Sequence, residues 1–223
     1  MEYFNQILDK LGIYDLFAVL LSGIIAVSTT LVVAPIFFNA DLSTYIQPDQ
    51  TIIFLVLCYL VGIFLQEAGN LLYRLFLKRG KKILSKLLNP SSDTDIKSDN
   101  LSINEILRIK NAAKEHIAES ELDDTILLYN YCRYRSPKNT SADKDQALAA
   151  MSRSLSIYFG TLGLSILVPV FVRDDINKLG FIVCIFVALL LAIMLWSRCE
   201  RFYKIRYARI FRTFYYSQLN NNP

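Results

Sequence analysis

Four long apolar stretches, separated by segments that carry almost all the charge, constrain this chain more than anything else in it. The first, Leu16 to Phe38, has no charged residue in 23 positions. The second is uninterrupted from Ile52 to Leu65 and continues at helical spacing to Leu77 with polar side chains intruding. The third runs from Leu155 to Val172 and the fourth from Leu179 to Trp196. A hydrocarbon core of about 30 Å takes about 20 apolar residues of helix, and a helix satisfies its own backbone hydrogen bonds there. The overall apolar content of 53% would suit a soluble domain nearly as well, so the distribution decides. Four uncharged stretches in one chain of 223 residues do not suit the core helices of a soluble bundle.

The expected fold is therefore all-α: an integral membrane protein with four transmembrane helices and a helical cytoplasmic insertion between spans two and three. Residues 1–77 form an N-terminal flank and hairpin (spans 16–38 and 52–72), and 78–154 form the insertion. Residues 155–197 are a second hairpin (spans 155–172 and 179–196), and 198–223 are a basic, aromatic tail. The flank before the first span carries Glu2, Asp9 and Asp15 against Lys10. A signal peptide has a basic flank and a shorter apolar run, so this stretch reads as a span that is retained.

Charge sets the orientation. The loop 39–50 holds Asp41 and Asp49 and no Lys or Arg, and the loop between the last two spans is the short 173–178. Residues 74–153, by contrast, hold 15 of the 24 basic residues, and six more follow Trp196. Cationic segments stay on the cytoplasmic side, which places the two short loops outside and the insertion and both termini inside. Of the four cysteines, Cys58 and Cys184 fall within spans and Cys132 and Cys199 in cytoplasmic segments. That placement suggests neither a disulfide nor a structural zinc.

Within the insertion, Ser102 followed by Glu105 has the form of a capping box. Ile103, Ile106, Leu107, Ile109 and Ala113 then recur at helical spacing. Ser120 reads as a second N-cap, with Glu121, Asp123 and Asp124 in a first turn where the helix dipole favours acids. Ile126, Leu127, Leu128 and Tyr131 supply the apolar face of that helix, which Ser136-Pro137 stops. Residues 142–154 read as a helix feeding directly into span three. Glu115, Glu119, Glu121, Asp123 and Asp124 form an acidic patch that suits a cytoplasmic protein partner.

The basic residues Lys78, Arg79, Lys81, Lys82, Arg201, Lys204, Arg209 and Arg212 suit contact with anionic inner-leaflet lipid, worth about 1 kcal/mol each near the surface. No nucleic-acid-binding motif accompanies them, and no nucleic-acid partner is expected. The tail interleaves its cations with Phe202, Tyr203, Tyr207, Phe211 and Phe214. It has two available fates, an interfacial helix in the membrane plane or a continuation of span four packed on the cytoplasmic helices. The tyrosine-rich face favours packing.

Two features lie inside the spans. Gln66, Glu67, Asn70 and Arg74 put polar groups on span two, where an ionisable side chain is costly and a candidate for a pore or intramembrane polar site. Counted from Ile52 at 1.5 Å per residue, Glu67 is about 22 Å deep, near the inner boundary, where pairing that ends the span is the competing account. Gly180, Cys184, Ala188 and Ala192 form a small-residue stripe on span four. Gly160 and Gly163 on span three, and Ser22, Gly23 and Ala26 on span one, are also small enough for close helix approach, within the bundle or between protomers.

No constellation for catalysis is present. His116 is the single histidine. The sequence holds no glycine-rich phosphate loop, no GxSxG and no HExxH, and the spacing from Arg108 to His116 does not fit a ribonuclease motif. No cofactor, metal or enzymatic activity is expected.

The stretch Tyr59-Leu-Val-Gly-Ile-Phe-Leu-Gln-Glu-Ala-Gly-Asn-Leu-Leu72, with Tyr14-Asp15-Leu16-Phe17 before it, resembles bacterial inner-membrane proteins built of two hairpins around a cytoplasmic insertion. The plan is similar to small membrane components of anti-phage systems, of the type of the Kiwa membrane subunit or the membrane accessories of CRISPR systems. The resemblance covers the chain as architecture and these stretches as sequence, and carries no functional residue across. It implies an oligomeric, non-enzymatic sensor, effector or scaffold of the bacterial inner membrane that works with a cytoplasmic partner in antiviral defence. The other reading is a small oligomeric ion channel or transporter lined by the polar residues of span two.

Overall fold

The computed structural model describes residues 13–38, 51–77, 79–88, 101–114, 117, 124–136, 140–172 and 178–221, with the side chains at several helix ends, 74–82 among them, outside that description. Every described secondary-structure element is an α-helix. In chain order they are α1 (Ile13–Phe38), α2 (Thr51–Leu77), α3 (Arg79–Leu88), α4 (Ile103–Lys114), α5 (Thr125–Arg135), α6 (Thr140–Val172) and α7 (Lys178–Asn221). Four of these, α1, α2, α6 and α7, contain segments long and apolar enough to cross a membrane. The chain divides into two compact units, Met1–Leu72 with Ala147–Cys199, and Tyr73–Gln146 with Glu200–Pro223.

The first unit is built from α1, α2, most of α6 and the first half of α7. Its closest approach is set by two glycines. A Cβ added to Gly23 would overlap the Cys58 carbonyl, and one added to Gly62 would overlap the Val19 carbonyl. Position 23 thus meets 58 while 19 meets 62, the register of an antiparallel pair. In lipid, where apolar surface gains little from leaving its solvent, such backbone-to-backbone packing is what holds helices together. Helices α6 and α7 pair in the same sense. Gly163 lies against Ala188 and Leu189, Gly160 faces Ala192, and the Ser156 hydroxyl donates to the Ala192 carbonyl at 2.7 Å. Between the hairpins, Ala26, Leu65 and Tyr158 share a buried cluster, and Thr30 and Tyr158 join their hydroxyls at 2.9 Å.

The second unit has a different logic, with a core closed by α3, α4, α5 and the second half of α7. Leu84, Leu87 and Leu88 come from α3, Ile106, Ile109 and Ala113 from α4, Leu128 and Cys132 from α5, and Ala208, Phe211 and Phe214 from α7. Phe211 and Phe214 are fully enclosed. Tyr129 meets Tyr207 edge-on at 5.0 Å, and Tyr131 meets Phe214 edge-on at 5.7 Å. The tail therefore packs on α3, α4 and α5, as its tyrosines favour, and it shares their core instead of forming a segment of its own. Helix α7 is one unbroken run of 44 residues. At 1.5 Å per residue that is about 66 Å, twice what a bilayer core requires.

Local chemistry accounts for the helix starts. Ser102 caps α4: its hydroxyl accepts from the Glu105 N–H at 3.1 Å, and its own N–H donates to the Glu105 carboxylate at 2.8 Å. Helix α5 starts later than the sequence suggests. Asp124, not Ser120, is its N-cap, and its carboxylate accepts from the N–H groups of Ile126 and Leu127. Ser120 lies outside the described residues.

Candidate functional site

The polar residues expected within span two do not converge on an interior. Glu67 is exposed, Gln66 and Asn70 are half-buried, and the Asn70 amide donates to the Glu67 carboxylate at 3.4 Å, a long bond. The Arg74 side chain lies outside the described residues. At the same level of the first unit, however, α6 supplies Arg153, which is 4% exposed. A Cβ at Gly69 would come within 3.1 Å of its Nε and 3.3 Å of its Cγ, so the glycine makes room for the arginine stem beside α2. The sequence carries no signal that singles out Arg153, because an Arg just before a span reads as a flanking cation.

The small-residue stripe on α7 divides. Ala188 and Ala192 pack on Gly163 and Gly160, whereas Cys184 is exposed and the buried positions above Ala188 are Phe181 and Ile185. The reason is the helical repeat. Residues four apart advance by more than one turn of 3.6, so a strict four-residue stripe winds off the contact face within three steps.

In the second unit, two ion pairs anchor the tail. The Arg212 Nε donates to the Glu105 carboxylate at 3.1 Å, using the oxygen that the Ser102 cap leaves open. Burial opposes the Glu105 charge, but the Ser102 N–H and Arg212 together outweigh it and hold the carboxyl below its usual range. Arg209 approaches Asp145 at 3.1 Å without hydrogen-bond alignment, and donates to the Ser141 carbonyl at 3.3 Å. Asp145 is 5% exposed and stands before the apolar part of α6. Burial pushes its carboxyl up, against the fields of Arg209, Lys144 and Arg206. Beside these pairs, Arg108 donates to the Tyr215 hydroxyl at 2.7 Å.

Of the cations assigned to lipid from the sequence, Arg209 and Arg212 are thus engaged within the unit, through a buried and a capping carboxylate. Arg201 and Lys204 are exposed. Lys78 and the side chains of Arg79, Lys81 and Lys82 lie outside the described residues. Of the acidic patch, Glu115, Glu119, Glu121 and Asp123 lie outside them as well, as does His116. Asp124 is an exposed residue whose carboxylate serves the α5 cap.

Several apolar residues expected on buried faces are exposed: Ile103 at 60% and Leu107 at 54% on α4, Ile126 at 42% and Leu127 at 39% on α5. Each helix buries only one stripe, 106–109–113 and 128–132, and these four stand off it.

Comparison with protein-family models, curated proteins and solved structures finds no match to this chain.

Proposed function

We propose that the protein is a non-enzymatic component of the bacterial inner membrane, oligomeric, with both termini in the cytoplasm. It acts as a sensor, effector or scaffold that couples a cytoplasmic protein partner to the membrane, in the setting of anti-phage defence. The observation that carries this reading is α7. Residues 178–199 of this one helix belong to the apolar first unit, and residues 200–221 complete the core of the second. A partner that shifts the packing around Phe211 and Phe214 acts on the same helix that contributes an apolar segment to the first unit. Four apolar helices and the basic loops support membrane insertion with the second unit inside. Light scattering on the protein in mild detergent tests the oligomer. A mass of two or more 25.5 kDa protomers is expected, and a bare monomer would sink that part of the reading.

One observation favours a second reading, a small oligomeric ion channel or transporter. Glu67 is exposed on an otherwise apolar helix face, so only neighbouring protomers would enclose it. Ion flux through reconstituted protein, lost in Glu67→Gln, is the expected result for a channel. Equal flux in both would remove Glu67 from the path.

A further inference from the structure

Helix α2 has two opposite faces that follow the same spacing and meet different surroundings. Cys58, Gly62, Leu65 and Gly69, alternately four and three residues apart, are buried. Gly62 lies against Val19, Gly69 against Arg153, and Leu65 clusters with Ala26 and Tyr158, so this face is committed within the protomer. On the other side Leu57, Leu60, Phe64, Glu67 and Leu71 follow one another at three and four, and all are exposed. A mean spacing of 3.5 keeps a stripe on one face over several turns, the seam that two helices share when they cross at a small angle.

Lipid alone can cover an apolar stripe, but acyl chains offer a carboxyl group no hydrogen bond, and an ionisable residue within a span faces protein or water. Glu67 faces outward from its own protomer. Among the described residues its hydrogen-bond partner is the Asn70 amide, at a long 3.4 Å. The other exposed charged side chains described in the first unit, Lys178 and Arg198, stand at the two ends of the apolar half of α7, whereas Glu67 has exposed Phe64 and Leu71 about a turn away on either side. A covering surface therefore needs apolar groups with a donor and an acceptor between them, at one depth. A second copy inserted in the same sense presents that arrangement, because its own carboxyl and amide arrive at the same depth. An Asn amide has two N–H donors and a carboxyl has several acceptor positions, so each can bond across the contact as well as within its helix.

We propose that the exposed stripe of α2 is the face on which a second copy of this chain docks, with Glu67 and Asn70 of the two copies meeting inside the contact. The inference rests on the oligomeric membrane reading above and names the interface within it. One polar position in an otherwise apolar seam also fixes the register, since sliding either helix by a turn would set each carboxyl against Phe64 or Leu71.

The test is oxidative cross-linking of single cysteines in the full-length protein in membranes, on a Cys184→Ala background because Cys184 is the exposed native cysteine. Leu60→Cys and Phe64→Cys are expected to give covalent dimers. Val168→Cys on α6 and Phe186→Cys on α7, at positions exposed to 60% and 66%, are expected to give none. In detergent, Glu67→Leu is expected to weaken self-association about 5- to 30-fold, the range for interhelical hydrogen bonds in model peptides. Glu67→Gln, which keeps a donor and an acceptor, is expected to associate like wild type. Cross-links at 168 or 186 with none at 60 or 64 overturn the proposal, as does equal cross-linking at all four positions. Wild-type association of Glu67→Leu overturns it too, and assigns the carboxyl to water or headgroups. Light scattering separates this proposal from the reading beneath it: an oligomer with no cross-link on α2 overturns the interface alone, whereas a monomer overturns the oligomeric reading itself.

Discussion

The crossing of α1 and α2 gives a prediction whose size follows from geometry. Replacing Gly62 with Ala adds a single methyl group, which would overlap the Val19 carbonyl oxygen and stand 3.0 Å from Val19 Cγ1. Neither helix can yield locally, because the obstruction is backbone, so the pair must part by about 1 Å to regain ordinary contact. A gap of that size forfeits a quarter to a half of each atom-pair attraction of about 0.1–0.2 kcal/mol. With about 40 pairs along such a crossing the loss is roughly 1–4 kcal/mol, or about 4–8 °C in unfolding temperature for a mid-range value. Gly160→Ala is the matched control, since its new Cβ would sit 3.9 Å from the Ala192 Cβ, an ordinary contact. Both substitutions gain the same helix propensity, about 1 kcal/mol, so their difference isolates the clash. Thermal unfolding in detergent, followed by size-exclusion, should rank Gly62→Ala well below Gly160→Ala. Equal stability of the two would refute the close packing of α1 on α2.

Four further outcomes follow. Phe211→Ala removes a fully enclosed side chain and should destabilise the second unit by about 3–5 kcal/mol, seen as faster proteolysis within 101–136 while the apolar helices of the first unit stay protected. Glu105 has its folded pKa depressed, so its contribution is present above the ordinary carboxylate range and is lost as pH falls through the folded value. The stability gap between wild type and Glu105→Gln should therefore narrow on acidification, and a gap that widens would contradict the ion pair. Burial pushes the Cys132 thiol up to about 12, so its alkylation at pH 8 should occur only when the second unit opens, and rapid labelling at Cys132 in the folded protein, read by peptide mass, would contradict the core. For Thr30 and Tyr158, a Thr30→Val and Tyr158→Phe double-mutant cycle should give a coupling of about 0.6 kcal/mol, typical of hydrogen bonds between spans, and zero coupling would remove the contact.

The helices are legible in the sequence because hydropathy and capping are local properties. Ser102 and Glu105 announce their own cap, and the four apolar stretches need no partner to be read as helices. Which side of each helix meets another is not a local property. Gly62 and Gly69 look like incidental glycines in an apolar run, and only the neighbouring Val19 carbonyl and Arg153 stem show why a Cβ is excluded there. Likewise, the tail's cations look equivalent along the chain. That Arg212 and Arg209 meet Glu105 and Asp145, 107 and 64 positions away, does not show along the chain. The start of α5 differs from the sequence expectation for a subtler reason. Ser120 and Asp124 are both good cap residues by type, so residue type alone does not choose between them, and the Asp124 carboxylate is the one that accepts from the Ile126 and Leu127 N–H groups.

The most direct test of coupling between a cytoplasmic partner and the membrane is chemical cross-linking of the protein in its native host, with purification in mild detergent and identification of what co-elutes. The expected result is a stoichiometric cytoplasmic protein joined through lysines of the second unit, such as Lys86, Lys110 or Lys114. A protein that elutes alone, with cross-links only to itself, would contradict the coupling.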